Sequence, residues 1–562
     1  MKVTEKFDLL NGRYTDPRTR RYLTPARIIK TWGSVNCAEA LLEEKYPQVA
    51  MREKSVCALE NKAGEPHAAI LIDFGIEFSG SLRIFTHSST VNGNQAGSDI
   101  RIRLGESVGE TLTPAGERGA CNDHANRDIL VNLPFWSGNE TPESGFRFAY
   151  IELLNDNARL ELQKVLGVFM YRDIEYKGSF ESSDELLNRI WNVSAYTVHL
   201  CMQEYIWDGI KRDRLVWIGD MHPEVTTMLA TFGDCDVIEA SLDLVRDETP
   251  DGMWMNGIST YSLWWVLIHA DLYRSVGNLE YLTLQREKLC DILSRVSLLV
   301  DENGSETMPE KRLLDWPNEA NEDAKHAGIH AMLKMTLEKG AVLLREIGED
   351  KLADGCTAAA ERMQRHIPNP CDSKQAAAML VLSGLGDAKK LNEEIISVGG
   401  AEKFSTFFSY YLFSAMAMAG DNVGALNAMR EYYGAMLRMG ATTFWEDFNI
   451  DWIENAAPID EITPEGMNDI HGDFGAYCYK NFRHSLCHGW ASGPCPYLAH
   501  YVLGIRPVNA TTYEIKPDLG DLSWAKGSYP TVKGIISVSI QKTSDGIKLE
   551  YTAPESIRII TK

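Results

Sequence analysis

Residues 207–224 read WDGIKRDRLVWIGDMHPE and place four carboxylates among tryptophan, lysine and arginine side chains. The stretch follows a helical pattern over residues 187–205, and a second helix is predicted to begin near Pro223. It is therefore predicted to be a loop between two helices, where functional residues are commonly placed. The four acids are Asp208, Asp213, Asp220 and Glu224.

The chain before this loop has the pattern of β-strands. From about residue 50 to residue 176, apolar residues alternate or run together, and glycine-rich turns separate the segments. Clear examples are residues 67–87, 99–104 and 146–153. The pattern predicts a β-sandwich domain over residues 1–178.

The chain around and after the loop follows a helical period as far as residue 504. Ten successive helices with short connections predict an all-α domain over residues 179–504, arranged as an (α/α)6 barrel, although periodicity alone leaves a helical solenoid open. Strand patterns then return and predict a small β-sandwich over residues 505–562. The fold class is therefore multidomain, with a central all-α barrel between two β-sandwich domains. The predicted helices span residues 183–204, 222–247, 261–275, 279–300, 326–347, 351–366, 374–384, 404–419, 422–438 and 485–503.

Charge and hydropathy exclude some classes of partner. The 562 residues include 79 Asp and Glu against 56 Lys and Arg, and the net charge of −23 disfavours binding to nucleic acid or to anionic membranes. The first residues lack an apolar signal core, and no run reaches the roughly 20 apolar residues of a membrane span. We expect a soluble protein, in the cytoplasm or, if a signal peptide has been removed, in the periplasm. A homodimer is compatible with this composition.

Cysteine and histidine spacing gives no metal signature. The eleven cysteines are scattered and form no CxxC pair, and the sequence contains no HExxH. We interpret the cysteines as reduced thiols, and we predict neither a metal nor another cofactor.

The mixture of acids and aromatic residues in the loop favours a sugar site. Carboxylates donate protons, stabilise cations and accept hydroxyl hydrogen bonds, whereas indole rings cover the apolar face of a pyranose. An exposed loop whose Asp and Arg residues pair with one another explains the same string, so composition alone leaves both interpretations open.

The order of residues in the loop resembles that of the α-L-rhamnosidases of glycoside hydrolase family 78. Those enzymes carry the string D-C-P-x-R-E-x-x-G-W-T-G-D, and residues 208–220 read D-G-I-K-R-D-R-L-V-W-I-G-D without insertion. Further on, ATTFWEDF (residues 441–448) resembles their T-T-x-W-E, and HSLCHGWASGP (residues 484–494) resembles their S-x-N-H segment. YPTVKGIISVSI (residues 529–540) is similar to a stretch of their C-terminal sandwich. The resemblance covers roughly residues 140–562.

This resemblance implies an inverting hydrolase that removes terminal α-L-rhamnose from an oligosaccharide or glycoside. Asp213 stands where the family usually has a glutamate as general acid. Its side chain is one methylene shorter, so either the backbone or the sugar must lie closer for the same proton transfer. Glu446 corresponds to the base that activates water, with a paired structural carboxylate as the alternative. The carboxyl groups of an inverting pair lie roughly 6.5 to 9.5 Å apart.

Further residues are candidates for holding the sugar. Carboxylates such as Asp208 and Asp220 can accept hydrogen bonds from two hydroxyls of rhamnose. Arg212 either donates to a hydroxyl or fixes Asp208, and His488 is either the family's histidine near the sugar or a core residue. For Glu224, stabilisation of the helix dipole in a first turn is a sufficient alternative explanation. The full set is Asp208, Arg212, Trp217, Asp220, Glu224, Trp316, Trp445 and His488.

Two other functions remain open from the sequence. An uronyl hydrolase or a lyase acting on acidic glycans requires cationic partners, and the loop supplies Lys211, Arg212 and Arg214. A carbohydrate-binding homologue without catalysis is indicated only by the aspartate at position 213. The complete set of acids, together with Glu446, argues against such a loss of activity.

Overall fold

A central helical region lies between two β-sheet regions in the computed structural model, which describes residues 6–7, 12, 15–309 and 311–561. The predicted succession of strands, helices and strands is confirmed, and the chain is multidomain. The N-terminal strands begin at Thr19, earlier than the pattern indicated. They are β1 (Thr19–Leu23), β2 (Arg27–Trp32), β3 (Ser34–Asn36), β4 (Cys57–Asn61), β5 (Ala69–Val91), β6 (Asn94–Gln95), β7 (Ser98–Gly105), β8 (Asp128–Leu133), β9 (Gly138–Glu140), β10 (Ser144–Leu153) and β11 (Ala158–Tyr171).

The N-terminal strands form one sheet of eleven, organised around β5. The main order is β3-β4-β11-β5-β10-β7-β8. The first half of β5 pairs with β10, and its second half pairs with β11. The change of neighbour falls at Gly80, where a Cβ would lie 1.8 Å from the Val168 carbonyl oxygen, so only glycine fits. Apolar side chains from both halves of β5, such as Ile72 and Ile84, meet in one core.

Helices fill the centre of the chain, and six of them follow one another in contact. The helices are α1 (Val108–Leu112), α2 (Glu185–Cys201), α3 (Ile218–Thr231), α4 (Asp236–Glu248), α5 (Ser259–Val276), α6 (Leu279–Leu284), α7 (Arg286–Ser297), α8 (Glu322–Glu346), α9 (Asp350–Met363), α10 (Lys374–Leu382), α11 (Ala388–Leu391), α12 (Ser409–Met418), α13 (Asn422–Arg438) and α14 (Pro494–Tyr497). The helix α3 packs against α5, α5 against α8, α8 against α10, α10 against α12, α12 against α14, and α14 against α3, which closes the series.

Three of the predicted helices were wrong in their boundaries or type. The helix predicted over residues 222–247 is two helices, α3 and α4, because Gly233 adopts a positive φ of 85° between them. The helix predicted over residues 279–300 is also two, α6 and α7, which are separated at Gln285. The segment predicted as a helix over residues 485–503 contains only short 3-10, α and π turns around α14. Its prolines lack the N–H that a continuous helix needs.

The C-terminal strands form two small sheets. The remaining strands are β12 (Ser179–Ser182), β13 (Ala456–Ala457), β14 (Asn468–Asp469), β15 (Ile505–Asn509), β16 (Thr512–Ile515), β17 (Trp524–Thr531), β18 (Gly534–Thr543), β19 (Gly546–Thr552) and β20 (Arg558–Thr561). A four-stranded sheet has the order β12-β17-β18-β19, and a three-stranded sheet has the order β15-β16-β20. Because β12 precedes the first long helix in the sequence, the four-stranded sheet combines one strand from before the helical region with three from after it.

A buried arginine of the N-terminal sheet, paired with an aspartate of the same sheet, joins it to the helical region. Arg147 on β10 donates from Nε to Asp73 Oδ1 (2.8 Å) and from Nη2 to Asp73 Oδ2 (2.9 Å), and its Nη1 donates to the Gly440 carbonyl (3.0 Å). Gly440 lies just after α13, so one side chain ties the sheet to the segment that leads to Glu446. None of the helices in the described part of the chain combines the length and apolar composition needed to cross a lipid bilayer.

Candidate active site

The acidic loop lines a pocket of about 340 Å³ at one end of the helical region. Segments that are far apart in sequence meet there: the loop itself, the residues after α7, and the segment that follows α13. Six residues of the predicted site line the pocket together with the two candidate catalytic acids. These eight are Asp208, Arg212, Asp213, Trp217, Asp220, Trp316, Glu446 and His488.

Local hydrogen bonds give the loop its shape. The Asp208 N–H donates to the Leu215 carbonyl (3.1 Å), and the Leu215 N–H donates to Asp208 Oδ1 (3.0 Å). Between these two residues, Asp213 and Arg214 both have a φ of 57°, in the left-handed region. A non-glycine residue in this conformation is uncommon and occurs where the surrounding structure holds it. The backbone is thereby turned so that Arg212 and Asp213 enter the pocket.

Arg212 connects the candidate acid to the candidate base. Its Nη1 donates to Asp213 Oδ1 (3.0 Å), and its Nη2 donates to Glu446 Oε1. The indole Nε1 of Trp217 donates to the other oxygen of Asp213 (3.2 Å). Both carboxyl groups are therefore oriented by side chains of the acidic loop.

His488 lies at the centre of the remaining acids. Its Nε2 is 3.6 Å from Asp208 Oδ2, 3.6 Å from Asp220 Oδ1 and 3.5 Å from Glu446 Oε1. Three carboxylates therefore converge on one imidazole nitrogen. Burial, with the Arg212 cation, holds the pKa of His488 well below its ordinary value, and the imidazole is neutral.

Burial dominates the protonation of the acids. It raises the pKa of Glu446 to about 7, although the Arg212 guanidinium and the Ser485 N–H oppose this shift. Burial, reinforced by repulsion among the carboxylates, also raises the pKa values of Asp208 and Asp220 well above the ordinary aspartate range. A carboxyl group that exchanges its proton near neutral pH, as Glu446 does, suits acid and base chemistry.

Glu106, a buried carboxylate of the N-terminal region, positions Glu446 indirectly through hydrogen bonds. Glu106, just after β7, accepts hydrogen bonds from the Leu486 N–H (2.7 Å) and from Ser485 Oγ (3.1 Å). The Ser485 N–H in turn donates to Glu446 Oε2 (3.1 Å). Lys211 Nζ lies 2.8 Å from Glu106 Oε2 and compensates its charge. Sequence reasoning missed Glu106, because nothing in its local pattern sets it apart.

The residues that come closest to a metal-binding arrangement already hold an internal cation. Among the described residues, Glu106, Glu110 and His471 bring ligand atoms within 4.8 Å of one another. The ammonium of Lys211 lies 2.8 Å from Glu106 and 3.3 Å from Glu110. Both ring nitrogens of His471 are also engaged, with Ser107 Oγ (2.7 Å) and the His484 carbonyl (2.8 Å). This cluster is therefore a compensated buried network.

Two of the predicted site residues lie outside the pocket lining. Glu224 is in the second turn of α3, which begins at Ile218, so the expectation of a first-turn position was wrong. Its Oε1 lies against Gly489, where a Cβ would be 1.7 Å away. Trp445 is buried in the core beside Phe448 and His484.

The pocket also contains residues that were not singled out from the sequence. Trp490 donates from Nε1 to the Glu446 carbonyl (2.8 Å), and its ring lies 4.3 Å from that of His488. Tyr261 enters the pocket lining from the first turn of α5. Tyr479 and Trp490 lie in or near the segment around His488, so their proximity in sequence was an available signal. The additional lining residues are Ile258, Tyr261, Lys311, Arg312, Leu313, Glu319, Cys478, Tyr479 and Trp490.

Two of the three loop cations point away from the pocket. Lys211 binds Glu106 and Glu110 beneath the loop, and Arg214 lies over the ring of Trp207, 4.4 Å from its centroid. Of these three, only Arg212 lines the pocket, where Glu446 and Asp213 compensate its charge. Lys311 and Arg312, from the segment after α7, are further cations in the pocket lining.

Residues 175–371 match the family described as the bacterial α-L-rhamnosidase six-hairpin glycosidase domain. The matched part includes the acidic loop and Trp316 and ends before Glu446. The resemblance to the α-L-rhamnosidases of glycoside hydrolase family 78 is thereby confirmed.

Curated and solved relatives agree with this family. An α-L-rhamnosidase of Formosa agariphila is 23% identical over 184 residues, which is 32% of this chain and 18% of that protein. The structure of a family 78 rhamnosidase from Bacillus sp. GL1 superimposes with a TM-score of 0.75 at 22% identity, over 93% of this chain and 55% of that one.

Two further relatives were solved with the sugar. A Klebsiella oxytoca rhamnosidase with rhamnose bound has a TM-score of 0.67 at 19% identity, over 86% of this chain and 95% of that one. A Streptomyces avermitilis α-L-rhamnosidase complexed with L-rhamnose has a TM-score of 0.69 at 17% identity, over 91% and 50% of the two chains. At these identities the likeness shows a shared fold, and this chain spans about half the length of several of these relatives.

Proposed function

We propose that this protein hydrolyses terminal α-L-rhamnosides with inversion at the anomeric carbon. The observation that carries the proposal is the joining of Asp213 and Glu446 by the Arg212 guanidinium within the pocket. The loop motif of the rhamnosidases and the match of residues 175–371 to their catalytic domain support the choice of sugar.

In the proposed mechanism, Asp213 is the general acid and Glu446 is the general base. Asp213 donates its proton to the glycosidic oxygen as the bond to the anomeric carbon breaks. Glu446 accepts a proton from a water molecule, whose oxygen forms the new bond from the opposite face of the ring. The products are rhamnose of inverted configuration and the free alcohol of the leaving group. No cofactor enters these steps.

The other pocket residues are proposed to bind the sugar. Asp208 and Asp220 accept hydrogen bonds from rhamnose hydroxyls, and neutral His488 donates or accepts a hydrogen bond between them. Trp316 and Trp217 supply apolar surface for the ring and its methyl group. Glu224 and Trp445 do not line the pocket, and we propose a structural role for both in the core beside it.

A more detailed domain architecture accompanies the proposed function. We propose that the six helices in successive contact form the inner layer of an (α/α)6 barrel over residues 179–504. We propose that the eleven-stranded sheet folds over its core as a β-sandwich within residues 1–178. Residues 505–562 would then form the small C-terminal β-sandwich, completed by β12.

Release of nitrophenol from p-nitrophenyl α-L-rhamnoside tests the proposal. We expect activity in the wild type, loss of it in Glu446→Gln, and β-rhamnose as the first product by proton NMR. Other nitrophenyl glycosides and an acidic glycan, monitored for unsaturated product, are the comparison. Activity only on one of these, or α-rhamnose as the first product, would show that the substrate or the mechanism is wrong.

A further inference from the structure

The strand β5 contains a large β-bulge in the half that pairs with β10. On β10, a single residue separates Phe146 from Phe148, but their partners on β5, Phe78 and Asp73, are five positions apart. Bulges redirect side chains and are frequent beside active sites. Glu77 lies in this bulge, and its contacts show that the bulge brings it to the segment that carries the candidate base.

Glu77 is bound to the helical region through both its backbone and its side chain. Its N–H donates to Thr442 Oγ1 (3.1 Å), and its carbonyl accepts a hydrogen bond from the Tyr196 hydroxyl (2.6 Å). Thr443 Oγ1 lies 3.0 Å from Glu77 Oε2. Glu446 follows these two threonines in the same non-helical segment after α13, so Glu77 holds this segment close to the base.

The side chain of Glu77 also lies where this segment meets the second segment that holds the base. The hydroxyl of Thr443 donates to the Leu486 carbonyl (2.7 Å), and the Leu486 N–H donates to Glu106 Oε2 (2.7 Å). The carboxyl groups of Glu77 and Glu106 contact each other. Two carboxyl groups from the N-terminal region therefore hold the junction of the two segments.

The charges around Glu77 balance only if its side chain is neutral. Lys211 lies 2.8 Å from Glu106 and 3.3 Å from Glu110, and Arg127 lies 3.6 Å from Glu110, so two cations compensate two carboxylates. Glu77 is buried, and within the described ranges no cation pairs with it and no donor reaches its Oε1. Burial and repulsion from Glu106 raise the pKa of Glu77 well above its ordinary value.

We propose that Glu77 is a positioning residue for the catalytic base and that it acts as a neutral carboxylic acid. Its O–H donates to Glu106, and its Oε2 accepts a hydrogen bond from the Thr443 hydroxyl. In this state Glu77 joins the two segments that hold Glu446, whereas an ionised side chain would repel Glu106. The proposal rests on the function proposed above, since Glu446 is a base only in that reaction.

Two substitutions of Glu77 separate its two proposed properties. Glu77→Gln keeps a neutral group with a donor and an acceptor, and we expect its kcat on p-nitrophenyl α-L-rhamnoside to equal that of the wild type. Glu77→Ala removes both contacts, and we expect kcat to fall about tenfold with KM unchanged, because the base is displaced while the sugar contacts remain. Glu60→Ala removes a glutamate of β4 in the same sheet and, as the control, leaves both constants unchanged.

Each part of the proposal has an outcome that overturns it. A loss of kcat in Glu77→Gln as large as that in Glu77→Ala would overturn the neutral state, and a wild-type kcat in Glu77→Ala would overturn the positioning role. Infrared difference spectroscopy of Glu77→Gln against the wild type decides the neutral state even where Glu77→Ala does not fold. We expect the C=O band of one protonated carboxyl group to disappear, and an unchanged band would overturn the proposal.

Inactivity of the wild type on every rhamnoside would instead reject the proposed function. Amide hydrogen exchange then tests the contacts of Glu77 separately. We expect the amides of residues 443–446 to exchange faster in Glu77→Ala than in the wild type, and at the wild-type rate in Glu77→Gln. Equal exchange in all three proteins would show that Glu77 does not hold this segment and would overturn the inference.

Discussion

Asp213 and Glu446 share one guanidinium, because Arg212 donates from Nη1 to the first and from Nη2 to the second. In the proposed reaction one carboxyl group loses a proton while the other gains one. The pair therefore carries a single negative charge before and after catalysis, and the Arg212 cation compensates that charge throughout. A fixed cation of this kind needs no rearrangement during the reaction.

If Asp213 is the general acid, its removal should matter most for poor leaving groups. We expect Asp213→Asn to reduce kcat/KM by roughly 10²- to 10⁴-fold on an alkyl or sugar rhamnoside, and much less on 2,4-dinitrophenyl rhamnoside, whose leaving group needs no proton. The measurement is kcat/KM against the pKa of the leaving group. An equal loss of kcat/KM for all leaving groups would assign the general acid to another residue, and Asp220 is the next candidate.

The pH dependence of kcat/KM should reflect the protonation of Glu446. Burial raises its pKa to about 7, so the base form predominates above this value and is lost as the pH falls. We expect kcat/KM to fall about tenfold per unit below pH 7. Because the Arg212 cation lowers the pKa of Glu446, Arg212→Gln should move this limb to higher pH. An unchanged limb in that variant would contradict the assignment.

Glu106 should influence catalysis from outside the pocket. It accepts the Leu486 N–H and Ser485 Oγ, and Ser485 holds Glu446 through its own N–H. We expect Glu106→Gln to lower kcat about tenfold with little change in KM, because the base is misplaced while the sugar contacts remain. Steady-state kinetics and a melting curve separate this effect from unfolding. A rise in KM without a fall in kcat would argue against it.

Gly489 should not tolerate a side chain. A Cβ there would lie 1.7 Å from Glu224 Oε1, and Glu224 is buried in α3, so its carboxyl group would have to shift within the core. We expect Gly489→Ala to lower the melting temperature and reduce activity. The control is Gly355 in α9, where a Cβ meets nothing within 4 Å. Gly355→Ala should stabilise the protein by about 1 kcal/mol, since alanine is the better helix former.

The ion pair of Asp73 and Arg147 should contribute measurably to stability. Burial would raise the pKa of Asp73, but hydrogen bonds from Arg147, together with those from the Gly75 N–H and Arg27, outweigh it and hold the pKa below the ordinary 3.8. The stabilisation is therefore present above pH 3.8 and lost as the pH falls below it. Arg147→Met should cost about 3 kcal/mol in denaturant unfolding at pH 7. A smaller cost at pH 7 than at pH 3 would contradict this account.

Local patterns predicted most of the secondary structure. The helix expected over residues 422–438 is observed as Asn422–Arg438. Its apolar face and its N-cap Asp421 both lie within one continuous stretch of sequence, so a local pattern was sufficient to predict it. The helix expected over residues 485–503 was wrong because its apolar content reflects burial, while Gly493, Pro494 and Pro496 interrupt the backbone. Burial and helical period are not distinguishable in a short apolar run.

The sequence by itself determined the succession of strands and helices, the acidic loop and the family that this loop resembles, because each of these depends on residues close together in the chain. Only the tertiary structure brought Arg212 to Glu446, 234 positions away, and Ser485 to Glu106, 379 positions away. It also placed Glu224 outside the pocket lining, against Gly489. Such contacts depend on how loops from different helices pack at one end of the fold, and no local periodicity encodes that packing.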